Sequence, residues 1–176
     1  MSQDAIFIGK LKNELKSKLI GAHTEKITQP GGDTFIFHLR SFGDRYKILI
    51  SAGKGNGRVH LTERGYETPQ TAPVFCMFLR KYFGISALVD IIQPNNDRML
   101  ELVFDCRDDL GYTSRRSIVM ELMGRNTNLI VLNDERRIVD CFYHKSFGMA
   151  GDRPLLPGLY YDYPQAQQGK GSDKIS

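Results

Sequence analysis

The run Thr34-Phe35-Ile36-Phe37-His38-Leu39-Arg40 alternates apolar and polar residues between two clusters of turn formers, Pro30-Gly31-Gly32-Asp33 and Ser41-Phe42-Gly43-Asp44. A period of two suits a half-buried strand. Residues 26–29 before it and 46–51 after it read as its neighbours, and Arg58-Val59-His60-Leu61 as a further short strand. Residues 85–93, 99–106, 117–123, 128–132 and 137–143 repeat the behaviour. Pro94-Asn95-Asn96-Asp97-Arg98 makes one of the turns between them, and Gly124 sits in another. Strands arriving in hairpin runs, without regular βαβ alternation, predict antiparallel sheets packed as a β-sandwich with helices at the side. That is the α+β class.

Two segments read as helices. Phe7, Leu11, Leu15 and Leu19 recur at helical spacing with Ile8 and Ile20 beside them, lysines fall off the stripe, and Gly21 stops the run. Phe75, Phe78, Leu79 and Tyr82 form a second stripe that ends at Gly84. Thr71 is the expected N-cap and Pro73 fits the first turn. Arg80 and Lys81 suit that helix's C-terminal dipole and are candidate phosphate contacts.

The 176 residues, 41% hydrophobic and 25% charged, describe an ordinary globular domain and exclude a disordered or collagen-like chain. Cys76, Cys106 and Cys141 are odd in number and lie in apolar runs, so they read as buried reduced thiols of a cytoplasmic protein. Neither a signal peptide nor a membrane span is expected. Gly53-Lys54-Gly55-Asn56-Gly57 lacks the phosphate-loop pattern and reads as a hairpin turn. His38 and His60 have no Cys or His partner at ligand spacing, so neither metal nor cofactor is expected. Residues 1–60 hold ten Lys and Arg against five Asp and Glu. A nucleic-acid partner and a plain solvated basic face both account for that excess.

Several runs carry a resemblance. They are His60-Leu61-Thr62-Glu63, Phe75-Cys76-Met77-Phe78-Leu79-Arg80-Lys81, Asp97-Arg98, and Glu121-Leu122-Met123-Gly124-Arg125-Asn126-Thr127-Asn128-Leu129-Ile130, followed by Ile138-Val139-Asp140, His144, Arg153, Leu156-Pro157-Gly158, Tyr160-Tyr161 and Pro164. Together they resemble the N-terminal (NFACT-N) domain of the NFACT family, the family of RqcH, FbpA and NEMF. The resemblance spans residues 1–164 and leaves 165–176 as a flexible tail or the start of a linker. Asn126-Thr127 stands where His-Ser is commoner in the family, and Ala5 where a glycine is frequent.

The resemblance implies a factor of ribosome-associated quality control. Such proteins bind tRNA and large ribosomal subunits obstructed by peptidyl-tRNA, and promote template-free alanine tailing of the stalled chain. The ribosome makes the peptide bonds, so the domain is expected to position tRNA without an active site of its own. Coiled-coil and NFACT-R parts would follow it. The family's tRNA-engaging motifs map to Asp97, Arg98, Glu121, Met123, Gly124 and Arg125, with Arg80, Lys81 and Asn128 as further RNA contacts. From the residues alone, Asp97 and Arg98 also read as closing a surface hairpin. Both follow a Pro-Asn-Asn turn and are expected to be solvent-accessible at a strand entry; with the resemblance, Asp97 and Glu121 are expected to orient the two arginines or read base donors.

The implied fold is similar to the N-terminal domain of formamidopyrimidine-DNA glycosylases, which opens a DNA-glycosylase-like alternative. Their iminium chemistry needs an N-terminal proline amine, and this chain begins Met1-Ser2-Gln3, so catalysis is not expected. The family's older label keeps open a fibronectin-binding adhesin as a third reading.

Overall fold

The computed structural model describes residues 4–148 and 153–165. Of the tail expected over 165–176, residues 166–176 lie outside that range. The chain forms helix α1 (Ala5–Leu19), strands β1 (His23–Gly31), β2 (Thr34–Ser41), β3 (Asp44–Ser51) and β4 (Arg58–Thr62), helix α2 (Val74–Phe83), and strands β5 (Ser86–Ile92), β6 (Met99–Arg107), β7 (Thr113–Glu121), β8 (Asn128–Leu132) and β9 (Ile138–Cys141). Short 3-10 turns span Pro94–Asn96 and Gly124–Asn126.

The fold is α+β and wholly antiparallel, in the order β4-β3-β2-β1-β5-β6-β7-β8-β9. The two expected sheets are thus halves of one hydrogen-bonded ladder. They join where β1 meets β5 through a single register pair, His23 with Ala87. Two backbone bonds next to it complete the seam, Leu88 N–H to the Ala22 carbonyl (2.8 Å) and Gly21 N–H to the Leu88 carbonyl (2.7 Å). The halves face each other. From β2, Phe37 stacks on Phe104 of β6 with centroids 5.9 Å apart, and Phe35 meets Phe142 edge-on at 5.4 Å. Side chains of β2, β3, β6, β7 and β8 that share one parity fill the space between, together with the inner faces of α1 and α2.

Each helix shifts slightly from its expected form. Asp4 caps α1, its Oδ1 accepting from the Phe7 N–H at 2.8 Å. The buried stripe is Ile8, Leu11, Leu15 and Leu19, whereas Phe7 is 45% exposed. A step of three from Leu11 back to Ile8 lands on the same face as a step of four, and packing chose the β-branched residue. In α2 the cap is Pro73, not Thr71, and no side chain bonds the first turn. Pro73 keeps extended backbone (φ −60°, ψ 160°), so the helix opens at Val74.

Residues 155–163 lie on the outer face of the second half. Leu155 and Tyr161 pack there on Val119, Ile130, Leu132, Ile138 and Cys141 as a small second core. Backbone bridges pair Lys145 with Leu155 and Arg137 with Tyr160.

The three cysteines are free and buried, as expected. Burial pushes all three thiols up, Cys106 and Cys141 to about 12, from a value of 9.0 in an open chain. The folded protein therefore holds these protons more tightly than the unfolded one. Their contribution to stability is fully present below pH 9 and is lost as pH rises toward 12. Tyr163, also pushed up to about 12 by burial and by Glu101, adds loss above pH 10. The urea midpoint of the chain should stay level from pH 7 to 8.5 and fall progressively between pH 9 and 11. A level midpoint across that upper range would show the thiols reachable by solvent.

Candidate nucleic-acid interface

At one end of the molecule the turn before β6 meets the turn after β7. Asn95 and Asn96 take left-handed backbone (φ 56° and 50°), which asparagine tolerates better than most residues. This closes the turn, with the Asp97 N–H donating to the Pro94 carbonyl at 3.0 Å. Gln93 braces it by donating through Nε2 to the carbonyls of Asp97 and Ala5, both at 2.9 Å, so the turn is tied to the first residue of α1. Asp97 Oδ1 accepts from the Arg98 N–H at 2.7 Å, whereas its Oδ2 is buried with no hydrogen-bond partner. The Arg98 carbonyl accepts from the Leu122 N–H at 2.9 Å, which sets the two motif segments side by side.

Past Leu122, Met123 is half-buried and Gly124 adopts φ +60°, a conformation strained for any other side chain. The Gly124 carbonyl accepts from the Gly55 N–H at 2.8 Å and from Thr127 Oγ1 at 2.7 Å. A Cβ on Gly57 would stand 2.4 Å from Thr127 Cγ2, so only glycine lets the loop between β3 and β4 come this close. The Gly-rich run is the hairpin connection expected of it, and it also braces the turn that carries Arg125. Arg125 and Asn126 are exposed. Lys145 Nζ donates to Asn126 Oδ1 at 3.3 Å, and Lys54 Nζ sits 4.6 Å from the Tyr143 ring centre. Among the described residues the Arg98 and Arg125 guanidinium groups have no hydrogen-bond or ion-pair partner. The end is cationic on balance, with Lys54, Arg98, Arg125 and Lys145 on adjoining segments against Asp33 and Asp97. Sequence reasoning had missed Lys54 and Lys145, which reach it only through the fold.

Four expected residues stand elsewhere. Glu121 is 2% exposed and turns to the outer face of the sheet, because it follows Val119 by one strand period. There Arg153 Nη2 donates to both its oxygens (2.8 and 2.9 Å) and the Tyr161 hydroxyl donates to Oε2. It neither orients Arg98 or Arg125 nor faces solvent. Asn128 is 1% exposed and fully used, donating to the Tyr143 carbonyl and accepting from the Tyr143 and Leu129 N–H groups. Arg80 and Lys81 belong to the opposite end of the molecule, beside Arg107 and Arg116. Asp97 and Arg98 themselves are half-buried, less open than a bare hairpin tip.

A second clamp repeats the Glu121 arrangement two strand positions away in space. Arg136 Nη1 donates to Glu101 Oε2 at 2.6 Å, and the Tyr163 hydroxyl donates to Glu101 Oε1. A sequence signal for both clamps existed in retrospect. Each glutamate stands between buried apolar neighbours, Glu101 between Leu100 and Leu102 and Glu121 between Met120 and Leu122, and a buried carboxylate demands a partner. The structure also gathers Asp140, Cys141 and His144 within 4.8 Å of one another. Cys141 donates its thiol proton to the Leu155 carbonyl, and His144 Nε2 is engaged by Asp140 at 2.8 Å, so the donors are already committed.

Such a fold, with a braced cationic end and a strapped outer face, is that of an NFACT N-terminal domain. The chain matches the family described as NFACT N-terminal and middle domains over residues 4–176 and belongs to it. It is 37% identical over 177 residues to the Rqc2 homolog RqcH of Bacillus subtilis (strain 168), covering 100% of this chain and 30% of that protein. The Streptococcus suis (strain 05ZYH33) protein of the same name is 33% identical over 165 residues, covering 93% of this chain and 30% of its own length. The chain thus spans about a third of the curated relatives it matches. Among solved structures, the N-terminal part of the fibronectin/fibrinogen-binding protein from Streptococcus suis superposes with a TM-score of 0.90 at 31% identity, over 95% of this chain and 63% of that one. The N-terminal domain of fibronectin-binding protein PavA from Streptococcus pneumoniae gives 0.88 at 29% identity, over 95% and 66%.

Arg153→Ala would leave Glu121 buried with only Tyr161 as partner. Removing one member of a buried ion pair costs about 3–5 kcal/mol. Urea unfolding of this variant should show a loss in that range, and Glu121→Gln, which keeps an acceptor for both donors, a distinctly smaller one. A loss under about 0.5 kcal/mol for Arg153→Ala would mean the strap is held by its apolar contacts alone.

Proposed function

We propose that this domain is the RNA-contacting N-terminal module of a cytoplasmic ribosome-associated quality-control factor. In this reading it engages tRNA through Asp97, Arg98, Met123, Gly124 and Arg125. The full protein acts on large ribosomal subunits obstructed by peptidyl-tRNA and promotes template-free alanine tailing. The observation that carries the proposal is the pair of unpartnered guanidinium groups, Arg98 and Arg125, on two turns joined by the Arg98–Leu122 backbone bond. Family membership supplies the ribosomal context. A guanidinium offers a planar fork of donors to phosphates and base edges. The unpartnered Asp97 Oδ2 is an acceptor that a base amino group would satisfy once the carboxylate turns outward. Met123 and Gly124 shape the turn, and Glu121 acts at a distance by fastening the strap. The module positions RNA while the ribosome performs the chemistry.

Fibronectin binding is a second reading, favoured by the names of the solved neighbours. In the described residues no helix is long and apolar enough to cross a membrane. A cell-surface pool of the protein without a ribosomal fraction would favour adhesion over the first reading.

Asp97→Ala with Arg98→Ala, placed in the full-length protein, should abolish tailing of a stalled reporter while leaving protein level unchanged. The fold should tolerate it, since the lost Asp97–Arg98 bond is worth about 0.5–1.5 kcal/mol against a domain stability of about 5–15. Recovery of tRNA with the double variant should fall about tenfold. Wild-type tail length with wild-type tRNA recovery would return the two residues to closing a hairpin.

A further inference from the structure

At the opposite end of the sheet, α2 runs out at Gly84 beside the hairpin of β6 and β7 and leaves a cleft of about 490 Å³. Arg80, Lys81, Arg107 and Arg116 line it against Asp108 and Asp109. Asp108 is engaged by its own turn, its Oδ1 accepting from the Leu110 and Tyr112 N–H groups at 2.9 and 3.0 Å. Lys81 and Arg107 have no side-chain partner among the described residues. Arg80 donates through Nε to the Ile27 carbonyl at 2.8 Å, which fixes it at the rim.

The Arg116 guanidinium carbon lies 3.9 Å from the Tyr82 ring centre. It is held there by Nη1 donating to the Tyr82 carbonyl (2.8 Å) and Nε to Ser114 Oγ (3.2 Å). Tyr82 in turn stacks on Phe78, with centroids 5.6 Å apart and planes 19° apart. Three planar groups thus form a ladder that ends on a fixed guanidinium at the cleft, with free cations beside it. A guanidinium plane is a stacking surface for a nucleobase, and lysine and arginine take phosphates. An acidic peptide would answer the charge but leave the planar end unmatched.

We propose that this cleft holds a nucleotide of a single-stranded RNA segment. The base stacks on Arg116, and the flanking phosphates lie on Lys81 and Arg107. β6 carries Met99 at one end and Arg107 at the other, roughly 26 Å apart for eight steps of about 3.3 Å. The cleft therefore takes a different RNA segment from the one at Asp97 and Arg98. This rests on the reading of the domain as an RNA-binding module, though not on which residues make the first contact.

The test titrates fluorescein-labelled hexauridylate into the 176-residue chain by anisotropy, and maps ultraviolet crosslinks of the complex. Lys81→Ala with Arg107→Ala should weaken binding about tenfold. It should also lower the slope of log affinity on log salt by about 1.4, at roughly 0.7 for each single-strand phosphate contact. Crosslinks should fall within residues 78–85 and 113–116. Arg98→Ala should leave hexamer affinity within about twofold while reducing tRNA binding, which separates this proposal from the tRNA reading. Unchanged hexamer binding in the double variant would overturn the proposal. So would crosslinks confined to residues 95–98 and 124–126, or hexaglutamate competing for the cleft as tightly as RNA. A wild-type chain that binds tRNA through Arg98 and ignores the hexamer would sink the cleft and leave the first reading standing. One that binds neither would sink both.

Discussion

The seam between β1 and β5 governs the rest of the molecule. A nine-stranded ladder with full pairing throughout would stay an open twisted sheet with one of its faces wet. Here the central junction is one residue pair, His23 with Ala87, flanked by two backbone bonds. So narrow a hinge lets the halves turn toward each other and put Phe35 and Phe37 against Phe142 and Phe104. Gly21 at φ +90° delivers α1 to the seam. Ser86 Oγ holds it, 2.7 Å from the Phe83 carbonyl oxygen and 2.8 Å from Thr24 Oγ1. The same turn of the halves carries the loop of residues 53–57 onto Gly124. The cationic end is thus a consequence of how the core closes.

What the sequence made legible is what is local. The nine strands and two helices follow from apolar periodicity, and the turn glycines and asparagines from backbone sterics. Where packing decided between neighbours, as between Phe7 and Ile8, periodicity alone could not. The seam was invisible because His23 and Ala87 are far apart in the chain and neither carries a pairing signal. Of the candidate site, both turns, at Asp97–Arg98 and at Gly124, are legible as turns, and the structure sets them side by side. The faces of Glu121 and Asn128 were misread. A motif read as a string places its residues together, whereas a strand sends alternate side chains to opposite surfaces. Lys54 and Lys145 belong to segments brought in by tertiary contact and could not have been found from spacing.

The charges divide into two populations. Glu101 and Glu121 are buried, and each is satisfied by an arginine and a tyrosine whose hydroxyl proton is held by burial and by the carboxylate beside it. In each pair the carboxylate is buried and the arginine is partly exposed. Arg98, Arg125, Lys81 and Arg107 carry no protein partner among the described residues, at two separate ends of the domain. Their charge is fully available to a polyanion, and screening by salt acts on it directly.

The two clamps have a mechanical meaning. Tyr161 and Tyr163 are spaced two apart on the strap, so their hydroxyls engage Glu121 and Glu101 on neighbouring strands β7 and β6. Tension applied to the chain beyond residue 165 reaches the Tyr163 clamp first and the Tyr161 clamp next, before any strand of the sheet is loaded. The strap is placed where a strain relief would sit. A tug from whatever follows is taken up by two ion-paired cleats on the outer face, and the turns that carry Arg98 and Arg125 stay in register behind them.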